Sequence, residues 1–189
     1  IYVPTGTMGN QLSIMAQTDP GEEVLAHEGS HVRSIEAGAP QALSGVGFRT
    51  VSGDGGRIEP EDVERAMAMS GFFPRIGLMV WENTHNLSGG RVIPLDAVEA
   101  GNTEARRHDL AIHLDGARIW ESAPHRGHAP AEVAAGADSV YVSLYKGLGG
   151  LAGAAVAGPE DEVAQARLWR TRMGGTLFSL LPYAVAGLR

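Results

Sequence analysis

Short apolar runs separated by longer amphipathic stretches set the rhythm of this chain, and no internal repeat interrupts it. Strands are predicted at residues 23–26, 48–51, 76–81, 110–114, 139–144 and 153–157. Val140, Val142 and Leu144 alternate with Ser139, Tyr141 and Ser143, as in a strand with two unlike faces. Residues 76–81 are apolar without alternation and read as a strand buried on both faces. Helices are predicted between them. One spans 10–17 after a glycine-bearing turn. Pro60 opens another with Val63, Ala66 and Met67 on one face, and Pro159 opens a third with Val163, Ala166 and Trp169. A further helix at 96–107 is weakened by Gly101, because glycine inside a helix costs about 1 kcal/mol relative to alanine. Strands alternating with helices imply an α/β fold with a mostly parallel, helix-covered sheet, which gathers ligands at the carboxyl ends of its strands. No low-complexity linker divides the chain, so residues 1–189 read as one domain.

Composition narrows the chemistry. A hydrophobic content of 43% and a charged content of 20% are globular values. The net charge of −7 argues against a nucleic-acid or anionic-membrane surface, which needs clustered cations. No apolar run approaches the roughly 20 residues that span a bilayer. The absence of cysteine excludes disulfides, thiolate metal sites and cysteine nucleophiles, and fits a cytoplasmic protein. The first residue is Ile1 and the last is Arg189, within apolar, helix-compatible sequence, so a segment of a longer polypeptide, truncated at both ends, is expected. Of the fifteen basic residues only Lys146 is lysine. Arginine stays protonated and cannot form an imine, whereas a lysine amine can deprotonate and attack a carbonyl. An arginine-favouring composition bias explains the scarcity of lysine, and it also makes the surviving one informative.

Two motifs invite readings that their context opposes. His27-Glu28-Gly29-Ser30-His31 matches the zinc-hydrolase pattern H-E-x-x-H, which requires both histidines on one helix face. Here it follows a predicted strand and contains Gly29-Ser30, a poor helix interior. Gly147 to Ala152 fits the dinucleotide fingerprint G-x-G-x-x-G/A, which works only where the glycine turn opens a helix. The following residues, 153–157, read as a strand instead.

The parts required by pyridoxal 5'-phosphate (PLP) chemistry are all present at strand ends or glycine turns. They are a lysine to carry the cofactor, a carboxylate for its ring nitrogen, a phosphate cradle and an arginine for the substrate carboxylate. Asp115 closes an apolar run in Asp115-Gly116-Ala117-Arg118; on its own it reads equally well as a turn or cap aspartate. Thr5-Gly6-Thr7-Met8-Gly9-Asn10 offers backbone N–H groups and hydroxyls before a helix, an arrangement that often serves only as a cap. Glu82-Asn83-Thr84-His85-Asn86 places five polar residues after a buried strand, with His85 suited to moving a proton near neutrality.

Taken in order, Thr5 to Gln11, Ser30-His31 with Glu36-Ala37-Gly38, Glu82 to Asn86, Ser88 to Val92, His113 to Ile119 and Lys146-Gly147-Leu148-Gly149 resemble the successive motifs of low-specificity threonine aldolases. These belong to the aromatic amino acid β-eliminating lyase/threonine aldolase family of fold-type I PLP enzymes. The resemblance implies that this chain is the large PLP-binding domain, and that the enzyme cleaves threonine or related β-hydroxy-α-amino acids to glycine and an aldehyde. It further implies that Lys146 carries the cofactor as an imine, that Asp115 pairs with its ring nitrogen, that His31 stacks on the ring and that Gly6 and Thr7 bind its phosphate. Arg118 would hold the substrate carboxylate and His85 would lie near the β-hydroxyl. A small amino acid substrate and a homodimer or homotetramer are implied as well. The family's small C-terminal domain is missing from this sequence.

Three departures bear on the reaction. Tyr145 stands before the lysine where the family usually has serine, Gly150-Leu151-Ala152 replaces its Ala-Pro-Val, and Phe178 replaces an arginine. Those at Tyr145 and Phe178 keep open another PLP-dependent lyase or racemase of the same family. A nicotinamide-dependent oxidoreductase needs a helix near Gly149, and a non-catalytic family member needs no intact site.

Overall fold

The computed structural model describes residues 1–69 and 71–187. Seven strands form one sheet: β1 (Tyr2–Val3), β2 (Glu23–His27), β3 (Gly47–Val51), β4 (Ile76–Glu82), β5 (Ala111–Gly116), β6 (Ser139–Ser143) and β7 (Ala154–Ala157). Among the described residues eight α-helices accompany them: α1 (Gly6–Gln17), α2 (His31–Ser34), α3 (Pro60–Met67), α4 (Leu95–Arg107), α5 (Ile119–His125), α6 (Pro130–Ala134), α7 (Glu160–Arg172) and α8 (Leu181–Gly187). The strand order is β1-β7-β6-β5-β4-β2-β3. Strands β3, β2, β4, β5 and β6 run parallel, while β7 is antiparallel to β6 and β1 is antiparallel to β7.

Alternation along the central strands divides the apolar residues between two faces. Leu25, Met79, Trp81, Ile112 and Leu114 join Val63 of α3, Val98 of α4 and Ile119 of α5 in one core. Val24, Ala26, Leu78 and Val80 pack with Ile14 of α1, and Leu12 meets Val156 and Ala166 of α7 nearby. All seven residues of β4 are buried, as expected of a strand covered on both faces. No helix among the described residues is long and apolar enough to cross a membrane.

The differences from the sequence reading are local. Helix α1 begins at Gly6, four residues before the expected start, because the Thr5 hydroxyl accepts from Met8 N at 3.2 Å and caps the first turn. The glycine-bearing turn is thus the helix start itself. Pro159 is the N-cap of α7, not its first helical residue. Helix α4 runs unbroken through Gly101, where a Cβ would stand 2.7 Å from both Ile58 O and Trp81 Cζ2. The two-residue β1 and the short helices α2, α5 and α6 carry too few residues for a periodic signal and have no counterpart in the sequence reading, while α8 falls in the stretch read as helix-compatible.

Both rejected motifs are settled by these elements. His27 ends β2 and His31 begins α2, so the two histidines share no helix face. Gly147 to Ala152 leads into antiparallel β7 and opens no helix.

Candidate active site

The interior strands β4, β5 and β6 release their motifs at their carboxyl ends. Register pairs Glu82 with Asp115 and Asp115 with Tyr141, so their side chains rise on the same side of neighbouring strands. Together with the start of α1, the start of α2 and the loop after β6, they enclose a cavity of ≈ 120 Å³. Six of the residues singled out in the sequence line it: Gly6, Thr7, His31, Asp115, Arg118 and Lys146. Thr5, Glu82, Ala117, Tyr141 and Tyr145 complete the wall.

His85 is not in that wall. Its ring is 1% exposed and meets the edge of His27 with centroids 4.6 Å apart. His85 Nδ1 bonds Ser88 Oγ at 2.9 Å, and its Nε2, which has no hydrogen-bond partner, lies 3.8 Å from Glu82 Oε2. Burial, and secondarily His27, depresses its pKa to about 4. The carboxylate that meets the cavity in its place is Glu82. Its two oxygens accept from His31 N at 2.8 Å and Asn86 N at 2.9 Å. Burial and then the charge of Asp115 nevertheless raise its pKa to about 7.

Asp115 forms the floor. It is 2% exposed, accepts from Asn10 Nδ2 at 2.8 Å and Ala117 N at 3.1 Å, and enters none of the ion pairs among the described residues. Burial pushes its carboxyl above the ordinary range, partly offset by the Asn10 bond and by His31. His31 Nδ1 meets Glu36 Oε1 at 2.9 Å, and this bond holds the imidazolium above the usual histidine range against the effect of burial. Burial lowers the Lys146 amine, with Asp115 acting in the opposite direction. A half-buried lysine with a lowered pKa is a better nucleophile than a surface lysine. Arg118 reaches Asn86 Oδ1 at 3.5 Å and is otherwise available to an anion in the cavity.

These elements have counterparts in known proteins. A family model described as beta-eliminating lyase matches residues 1–189. The chain belongs to the beta-eliminating lyase family. Within it, the chain is similar to low-specificity L-threonine aldolase 1 of Arabidopsis thaliana, with 34% identity over 180 residues, 93% of this chain and 50% of that one. The low specificity L-threonine aldolase of Escherichia coli K12 is 30% identical over 198 residues, covering 100% of this chain and 56% of its own. The solved threonine aldolase of Leishmania major superposes with a TM-score of 0.87 at 24% identity, over 98% of this chain and 55% of that one, and shares its fold. The chain spans about half the length of the curated relatives it matches.

Family members work with PLP, and the cavity suits that group. Asp115 is a buried carboxylate satisfied only by neutral donors, and a protonated ring nitrogen supplies the cation it lacks. The first-turn N–H groups of Gly6 and Thr7 precede any helical acceptor and point where a phosphate gains from the helix start. A Cβ on Gly6 would strike the Tyr141 hydroxyl, so glycine is required for this close approach. In the sequence Asn10, Glu36 and Glu82 stand inside the motifs with no separate role legible for them. Tyr141 carried no signal beyond strand alternation.

Proposed function

We propose that the complete protein is a PLP-dependent aldolase that cleaves threonine or a related β-hydroxy-α-amino acid to glycine and an aldehyde. One observation carries the reading: the single lysine of the chain shares a small cavity with the unpaired buried Asp115 and with His31. In this reading Lys146 holds the cofactor covalently, Asp115 keeps its ring nitrogen protonated, and His31 covers its ring. Gly6 and Thr7 hold its phosphate. When bound, the cofactor supplies an electron sink for the pair left on Cα as the Cα–Cβ bond breaks. Arg118 binds the substrate carboxylate and orients the bond to be broken. Glu82 takes the β-hydroxyl proton where it meets the cavity and returns a proton to Cα, while His85 acts from behind, through Glu82. A carboxyl titrating at about 7 suits both transfers near neutrality.

The test is to load the complete protein with PLP, reduce it with borohydride and map the labelled peptide, alongside glycine release from threonine. The label is expected on Lys146. K146A is expected to lose the label and to release glycine slower by roughly three orders of magnitude or more. Full activity in K146A sinks the reading. Tyr145 in the cavity wall supports a second one, racemisation or β-elimination at the same site, because a phenol there offers a proton-transfer group that serine does not match. Keto-acid or D-amino-acid formation in place of glycine would favour it. The absence of cysteine supports a cytoplasmic setting, and family resemblance supports a homodimer or homotetramer in which this chain is the large PLP-binding domain.

A further inference from the structure

A buried polar chain runs away from the cavity floor. Asn10, fully buried, donates from one Nδ2 to Asp115 Oδ2 at 2.8 Å and to Glu36 Oε1 at 2.7 Å. Gln11 Nε2 donates to the other oxygen, Glu36 Oε2, at 2.6 Å. On its far side Asn10 Oδ1 lies 3.0 Å from His113 Nε2, and His113 Nδ1 lies 2.7 Å from Ser139 Oγ. Gln17 Nε2 closes the chain on Ser139 Oγ at 2.6 Å. His113 and Ser139 are buried, and neither lines the cavity.

Donor and acceptor arithmetic fixes every orientation. Ionised carboxylates only accept, so the Asn10 amide must turn its NH2 toward Asp115 and Glu36. Its carbonyl oxygen then faces His113, which must carry its proton on Nε2. His113 Nδ1 is left as an acceptor for the Ser139 hydroxyl, whose oxygen accepts from Gln17. The two carboxylates and His31 present ligand atoms within 4.8 Å of one another. The two hydrogens of one amide, one for each carboxyl group, tie both to a single fixed donor.

We propose that Asn10 is a positioning residue for the cofactor, held in one orientation by the Gln17–Ser139–His113 relay so that its two amide hydrogens fix the carboxyl groups of Asp115 and Glu36 in place. Asp115 is thereby kept ready for the ring nitrogen and Glu36 for His31, and a residue outside the cavity governs cofactor binding. The inference rests on the PLP reading of the site. Burial holds His113 at a pKa of about 4, which keeps it neutral and in the one tautomer the relay needs near neutrality.

The experiment has two parts. In wild-type protein without cofactor, ¹⁵N NMR of the histidines should show His113 protonated on Nε2 alone; an Nδ1–H tautomer overturns the relay without any variant. In the complete protein, PLP affinity is then measured by the absorbance of cofactor bound at Lys146. N10A and H113L are each expected to weaken it by roughly ten- to a hundredfold, the loss of a hydrogen bond to a charged group. H113Q, whose amide can still donate to Asn10, should recover most of it, while a variant that had merely loosened the fold would show no such rescue. Affinities within twofold of wild type in both N10A and H113L overturn the proposal. Wild-type protein that binds no PLP at Lys146 overturns the underlying reading instead, and the two failures are told apart by that control.

Discussion

Both oxygens of Glu82 are bonded to backbone N–H groups, yet burial and the neighbouring Asp115 still raise its pKa from 4.5 to about 7. Between those values the folded protein retains a proton that the unfolded chain releases. Glu82 therefore stabilises the fold less as pH rises through that window, by about 3 kcal/mol in all at ~1.36 kcal/mol per unit. E82Q has no proton to lose there. Its stability relative to wild type should climb by about 3 kcal/mol from pH 4.5 to pH 7, whatever its offset from the backbone acceptor it loses. Urea unfolding of both proteins across that range reads the difference, and a flat difference would mean that Glu82 is ionised throughout. In the loaded enzyme E82Q should keep the cofactor absorbance and lose roughly a hundredfold in turnover. The polar cluster after β4 was visible in the sequence. Which of its members met the cavity was not, because that depends on the register pairing Glu82 with Asp115 across two strands.

At the scale of elements, what was legible tracks the length of the pattern. The strands from β2 to β7 and the helices α3, α4 and α7 announce themselves through runs of at least four patterned residues, and their ends shift by only a few positions. Helix α1 is legible in the sequence only from Asn10 because Thr5 to Gly9 looks like a turn, and only the capping bond from Met8 shows it to be the first helical turn. Gly101 is the informative misfit. Local propensity counts it against α4, but tertiary packing demands it, since the helix crosses Trp81 and the Ile58 carbonyl with no room for a methyl group. Trp81 Nε1 also donates to Asn102 Oδ1 at 2.7 Å, so the same turn of helix is pinned to β4. Replacing Gly101 with alanine gains about 1 kcal/mol of helix propensity and costs roughly 1–3 kcal/mol in overpacking. G101A is expected to be net destabilised, by up to about 2 kcal/mol in thermal or urea unfolding. A stabilised G101A would show that the helix can move away from Trp81 without loss.

For the whole molecule, the carboxyl ends of the central strands gather ionisable groups that the fold alone does not pair. Asp115 sits unpaired on the floor, Glu82 and Lys146 are pushed toward neutrality by burial, and the open first turn of α1 faces the same cavity. A ligand with a phosphate at one end and a protonated ring nitrogen at the other answers these demands only when the strands and α1 are assembled. PLP should therefore bind the folded state and stabilise it by mass action, by about 2.7 kcal/mol at a hundredfold excess over its dissociation constant. That corresponds to a rise of several degrees in melting temperature, smaller for a longer chain. The rise should depend on the parts separately. K146A loses the covalent attachment but keeps the Asp115 floor and the α1 cradle, so a smaller, freely reversible rise should persist. D115A removes the buried acceptor, and its melting temperature should respond to PLP least of the three. If K146A and D115A respond as strongly as wild type, the cofactor is stabilising the protein from somewhere other than this cavity, and the joint assignment of Lys146 and Asp115 fails.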